Sequence, residues 1–252
     1  MNTPLEFLHI AGIALILSAL IGLWISAFSH RWVERSYAES RSQVEAVALE
    51  LGGQVNWGQA PQYAKPATSE KRRRAWVVGL TVVLGMLAAY TAQDMVHWIV
   101  FTSVAWLVAL ACVVDFEHCL IPDRASLGLL ALGLVFSCTR WALITPEQAV
   151  FGMLVGYTAL YALSEFFVRL RGKEPIGEAD LKLLAAAGAF VGPWGVAYAA
   201  GFAVLLTLLI LPWLMRKGEE EIRVPFGPGL ALGLFALLMW QHSHSAVWLG
   251  LL

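Results

Sequence analysis

The sequence predicts an all-α protein, a polytopic bundle of about eight membrane helices, and three observations carry that prediction. Of its 252 residues 59% are hydrophobic and 14% charged, against about 25% charged in an ordinary soluble domain. The apolar residues gather into runs that approach the roughly 20 residues needed to cross a hydrocarbon core about 30 Å thick. The charges fall between those runs, and nearly all the cations share one side. The same figures exclude disorder, which requires low hydrophobicity and high net charge. With 17 Lys and Arg against 18 Asp and Glu, no basic field is present to attract nucleic acid. Cys112, Cys119 and Cys138 form no Cys-x-x-Cys pair, so neither a disulfide framework nor a zinc site is supported. They read as small apolar residues of membrane helices.

The first span, about Leu8 to Phe28, has no Lys or Arg before it and is followed by Arg31, Arg35 and Arg41. It therefore reads as an anchor with its N-terminus outside, not as a cleaved signal peptide. A polar stretch to Arg74 follows, expected as an amphipathic helix from about Arg31 to Leu51 and then a flexible piece rich in Gln, Pro and Ala. The next spans are expected at about Ala75–Tyr90, His97–Val114, Ser126–Leu143 and Glu147–Val168. Asp180 to Arg216 would make about 54 Å of continuous helix at 1.5 Å per residue, too long for one crossing. A break at Gly192-Pro193 divides it into Asp180–Val191 and Trp194–Met215. The last span is expected at about Pro228–Leu249. This arrangement places every Lys and Arg except Arg140 on the inner side, as the positive-inside rule requires. The run Lys71-Arg72-Arg73-Arg74 marks the membrane edge and its anionic headgroups. The chain divides into an anchor (1–29), a cytoplasmic loop (30–74) and a membrane domain (75–252).

Ionisable residues at membrane depth are costly and point to function. Asp94 falls in a short outside turn and reads as solvated, and Glu165 precedes Arg169 by one helical turn, an i,i+4 pair in the favourable orientation. Asp115 and Asp180 are different. The topology, built only from hydropathy and cation counting, puts both at the inner ends of spans and so at one depth on one face. Two carboxylates held close in a low-dielectric site cannot both ionise, so they share a proton. If the two helices are neighbours, that is the arrangement for hydrolysing a peptide bond, one member activating water and the other protonating the leaving amine; on the residues alone, Asp115 can equally end a span at the water interface and Asp180 act as an N-cap-like residue at the positive helix end.

Around the first aspartate the chain reads Asp115-Phe116-Glu117-His118-Cys119-Leu120-Ile121-Pro122-Asp123, and around the second Gly177-Glu178-Ala179-Asp180-Leu181-Lys182-Leu183. Pro225-Phe226-Gly227-Pro228 precedes the last span. In order and spacing, from about Ala75 to the C-terminus, this resembles the type IV prepilin peptidases, membrane aspartic proteases of the Gly-x-Gly-Asp class. The resemblance implies catalysis by Asp115 and Asp180, with Pro122, Asp123, Gly177, Lys182, Gly227 and Pro228 as supporting motif residues. On the residues alone, Asp123 can cap the helix beginning near Ser126, Lys182 can snorkel to the inner surface, and Gly227-Pro228 suits a helix start. Implied substrates are prepilins or type II secretion pseudopilins, met at the cytoplasmic face of a bacterial inner membrane among its lipids. Proteolysis of this kind needs no cofactor.

The chain departs from the family pattern twice. Ala179 stands where the family has its second Gly, which is harmless if the backbone there has negative φ and unfavourable if it is left-handed. Residues 30–74 contain no cysteine, whereas family members carry two zinc-binding Cys-x-x-Cys pairs there. Zinc is not predicted, and S-adenosylmethionine would be needed only if the family's N-methyltransferase activity is retained. Two other functions fit the same features: an impaired relative acting as an assembly partner, and a proton-coupled transporter. The chain shows no inverted repeats and has its acids at one face, not at the midplane, which disfavours transport.

Overall fold

The computed structural model describes residues 4–50, 70–172, 176–215 and 225–249. The Gln/Pro/Ala-rich stretch, Lys173, Arg216, Lys217 and Arg223 lie outside the described residues. The architecture is all-α, with no strand among the described residues. Among the described residues seven helices run in order: α1 (Pro4–Glu50), α2 (Glu70–Thr91), α3 (Met95–His118), α4 (Asp123–Ser137), α5 (Pro146–Arg171), α6 (Glu178–Met215) and α7 (Gly227–Leu249). Helices α1, α2, α3, α5 and α6 are long and apolar enough to cross a membrane.

α1 joins the expected anchor and the expected amphipathic segment into one helix of 47 residues, about 70 Å long. The reason is local: between Gly22 and Gly52 there is no Gly or Pro to stop it. α3 packs against α1, α2, α4 and α7. It is apolar all round, and Phe101, Val104, Ala105, Val108, Ala111 and Val114 are all buried, as expected for a helix surrounded by others. α4 ends at Ser137, short of the expected Leu143. The Ser137 hydroxyl donates to the Leu134 carbonyl at 2.7 Å, and the Thr139 backbone N–H and hydroxyl both donate to the Phe136 carbonyl. Side chains that take up the last carbonyls favour an end over another turn. α5 begins with a capping box formed by Thr145 and Gln148, with Pro146 at its first position, and closes on Gly172 at φ 66°.

α6 leaves helical geometry at Gly192 (φ 71°, ψ −178°) and resumes at Pro193, the expected break. The second half runs back along the bundle. Trp194 and Tyr198 line a cavity with Trp240 and Gln241 at one end of α7, while Ala203 abuts Gly229 at the other. The first half of α6 lies against α5 at backbone contact: a Cβ on Gly188 would fall 2.1 Å from the Gly152 carbonyl oxygen, and one on Gly156 2.5 Å from that of Leu184. Small residues at this spacing let membrane helices approach closely, and here they hold the helix that begins beside Asp180.

The three cysteines do not share one environment. Cys112 is buried within α3, Cys119 is the left-handed residue that ends α3, and Cys138 is exposed at the end of α4. The latter two are therefore residues at helix ends, not the buried apolar helix residues expected of all three.

Candidate active site

Three helix ends meet around Asp115. Its side chain, 5% exposed, lies in the last turn of α3. That turn is closed by Cys119, which takes φ 51° and donates its N–H to the Asp115 carbonyl at 2.8 Å. Buried Ile121 and Pro122 then carry the chain into α4. From α7, the Gly227 N–H donates to Asp115 Oδ2 at 2.9 Å. From α6, half-buried Asp180 sits in the first turn, its N–H donating to the Gly177 carbonyl at 3.0 Å, and its carboxylate lies within electrostatic reach of Asp115. The two aspartates named from sequence thus lie at the same end of the bundle, on helices α3 and α6.

Gly227 is required here for space. A Cβ at that position would stand 2.8 Å from Asp115 Oδ2 and 2.7 Å from Ile121 Cδ1. Pro228 follows it in the first turn of α7, buried, its carbonyl 3.9 Å from Cys112 Sγ. Gly177 is exposed just before α6, 3.6 Å from Asp180 Oδ2 by its own missing Cβ. Asp123 does not cap α4, since Pro122 occupies the cap position without a side-chain bond and the helix begins one residue earlier than a capping Asp would allow. Its carboxylate instead receives Lys182 Nζ at 3.0 Å, and Lys182 also reaches Glu178 at 2.9 Å. Lys182 therefore ties the start of α6 to the start of α4 and is not simply a snorkelling cation. Ala179 is helical, and among the described residues Cys119 alone is a non-glycine with positive φ. The methyl of Ala179 thus meets no backbone conflict.

A second polar cluster lies beside this site. Arg73 is 3% exposed and forms a two-pronged pair with Glu117, Nε to Oε1 and Nη2 to Oε2 both at 2.7 Å. Its Nη1 donates to the Ser26 carbonyl at 2.9 Å and its Nη2 to the Ser29 hydroxyl at 2.7 Å. Arg73 is therefore buried in protein and does not mark headgroups with its neighbours. Sequence reading could not separate it from a run of four cations. Glu117 was the available signal, an acid two residues beyond Asp115 with no assigned partner.

A cleft of about 550 Å³ adjoins the Asp115 loop, lined by Trp32, Tyr37 and Glu39 of α1 and by Leu120, Ile121, Asp123 and Arg124. A larger cavity of about 610 Å³ lies at the opposite end, with Arg140 and Trp141 on its wall, and holds neither aspartate. At that end Asp94 caps α3, accepting from the His97 N–H and from its ring Nδ1, both at 2.9 Å, so it is not a merely solvated turn residue. Partial burial works against the Asp94 charge, but these bonds outweigh it and hold the carboxyl below its ordinary value. Glu165 and Arg169 form the expected exposed pair at 3.1 Å.

Among the described residues no cluster of three His, Cys, Asp or Glu offers a metal site. Comparison with known proteins matches residues 101–212, which include both aspartates, to the type IV leader peptidase family. A prepilin leader peptidase/N-methyltransferase of Stutzerimonas stutzeri is 28% identical over 291 aligned positions covering 98% of both chains. A type 4 prepilin-like proteins leader peptide-processing enzyme of Escherichia coli O78:H11 is 30% identical over 189 residues, 74% of this chain and 69% of that one. A prepilin leader peptidase/N-methyltransferase of Aeromonas hydrophila is 32% identical over 170 residues, the match spanning 57% of its length. No solved structure matches. Motifs, helix-end geometry and these relatives agree: the chain belongs to the type IV leader peptidase family.

Proposed function

We propose that this protein is a membrane aspartic endopeptidase that removes the basic leader of type IV prepilins or type II secretion pseudopilins at the cytoplasmic face of the bacterial inner membrane. The reading is carried by the placement of Asp115 in the last turn of α3 and Asp180 in the first turn of α6, at the same end of the bundle, with the Gly227 N–H donating to Asp115 Oδ2. A water between the carboxylates is activated by the ionised member, while the protonated member supports the developing oxyanion and then protonates the leaving amine. Two carboxylates and water suffice, so the step needs no cofactor.

The substrate suits the placement. A basic leader stays on the cation-rich side, the apolar pilin helix lies in the bilayer, and the scissile bond, after a Gly and before a Phe, falls at the boundary where the aspartates sit. The helical conformation of Ala179 removes the main reason to regard the second motif as impaired. The test is co-expression with a prepilin carrying a Gly-Phe junction. Wild-type chain should yield mature pilin and Asp115→Asn or Asp180→Asn none; processing by either variant refutes the reading.

A further inference from the structure

We propose that Arg73 and Glu117 are positioning residues of the peptidase site, fixing the last turn of α3, and with it Asp115, against α1 and α2. The inference rests on the proteolytic reading of Asp115 and Asp180. Its ground is a chain of contacts that crosses three helices. The Arg73 guanidinium, on α2, is held from α1 by the Ser26 carbonyl and the Ser29 hydroxyl. Its remaining edge grips both oxygens of Glu117, two residues after Asp115 in the same helical turn. Such forked contacts fix orientation as well as distance, because the guanidinium plane and the carboxylate plane must align. The turn needs this support. It ends on Cys119, a non-glycine residue in the left-handed region, a conformation that costs free energy and persists only where surroundings impose it.

The arrangement also gives the N-terminal third a task in the site. The family match begins at residue 101, yet Ser26, Ser29 and Arg73 all precede it, and without Arg73 the buried Glu117 carboxylate would lose its two-pronged partner and keep only His118, at 3.8 Å. Burial makes the pair consequential: an ion left alone in such a place reorganises its surroundings, and the nearest surroundings here are the Asp115 turn. Misplacing a reacting group by about 1 Å can cost roughly 100-fold in rate.

The experiment uses the full chain in nanodiscs with a synthetic prepilin peptide bearing a basic leader and a Gly-Phe junction, reading kcat and KM separately. Arg73→Gln and Glu117→Gln should each lower kcat by roughly 100-fold with KM unchanged. The exchanged double variant Arg73→Glu/Glu117→Arg should recover part of what either single loses. Arg74→Gln, at an exposed residue paired with Glu70, should behave as wild type. Amide hydrogen exchange at Cys119, whose N–H bonds the Asp115 carbonyl, should quicken in both single variants. If Arg73→Gln fails to fold, Ser29→Ala, which removes one contact of the guanidinium, should show a smaller kcat loss with the same exchange signature. Wild-type kcat in the Arg73 and Glu117 variants, a loss confined to KM, or unchanged exchange at Cys119 overturns the proposal. Asp115→Asn run alongside separates the two failures. If it is inactive while Arg73→Gln is fully active, only the positioning role falls; if it still cleaves, the catalytic reading falls and takes this role with it.

Discussion

Gly227→Ala isolates the contact between α7 and Asp115 with a single methyl group. The added carbon would stand 2.8 Å from Asp115 Oδ2, 3.0 Å from its Cγ and 2.7 Å from Ile121 Cδ1. Carbon–carbon contacts are most favourable at about 3.5–4.0 Å, so Ile121 must withdraw by roughly 1 Å and the carboxyl by roughly half as much. The N–H that orients Oδ2 remains but lengthens. With about 1 Å of misplacement worth roughly 100-fold, the expected fall in kcat is about 10- to 100-fold, or roughly 1.4–2.7 kcal/mol of transition-state stabilisation. KM should hold, because the substituted atom faces Asp115 and Ile121. Purified protein with a synthetic prepilin peptide provides the rate, and thermal melting in the same detergent shows whether the variant is folded. Gly201→Ala is the control, since a Cβ there meets nothing within 4 Å. A folded Gly227→Ala with the kcat of the Gly201→Ala control would refute the view that α7 sets the position of Asp115.

Two further outcomes follow from backbone geometry. Ala179→Gly should leave processing unchanged and lower stability by at most about 1 kcal/mol, the helix-propensity difference; a large gain in cleavage rate would show that the methyl does impair the site. Gly188→Ala drives a carbon to within 2.1 Å of the Gly152 carbonyl oxygen, so α5 and α6 must separate at a cost of about 1–3 kcal/mol, the range for overpacking. A lower melting temperature is expected, with reduced activity because the first half of α6 carries Asp180, and an unchanged melting temperature would refute the close packing.

Much of this protein follows from one-dimensional regularities. Bilayer thickness sets a length scale that apolar runs must meet, so the all-α class and most helices are legible from hydropathy. The Gly192-Pro193 break follows from the same scale, since one helix could not fit. Asp115 and Asp180 stand out in the sequence because charge beside long apolar runs is rare enough for two instances to be conspicuous. What the sequence lacks is any record of which polar group faces which. Lys182 is one cation among many until Asp123 and Glu178 are seen beside it, and Arg73 cannot be told from Arg72 or Arg74 until its burial against Glu117 is known. Helix ends set by side-chain hydrogen bonds, as at Ser137 and Thr139, depend on local competition that periodicity does not register. Solvent and chain length alone determined the all-α class and most of its helices. Only the tertiary structure decided which neighbours orient the two acids, because hydrogen bonds and ion pairs are short-ranged and directional, and join residues as far apart in sequence as Asp115 and Gly227.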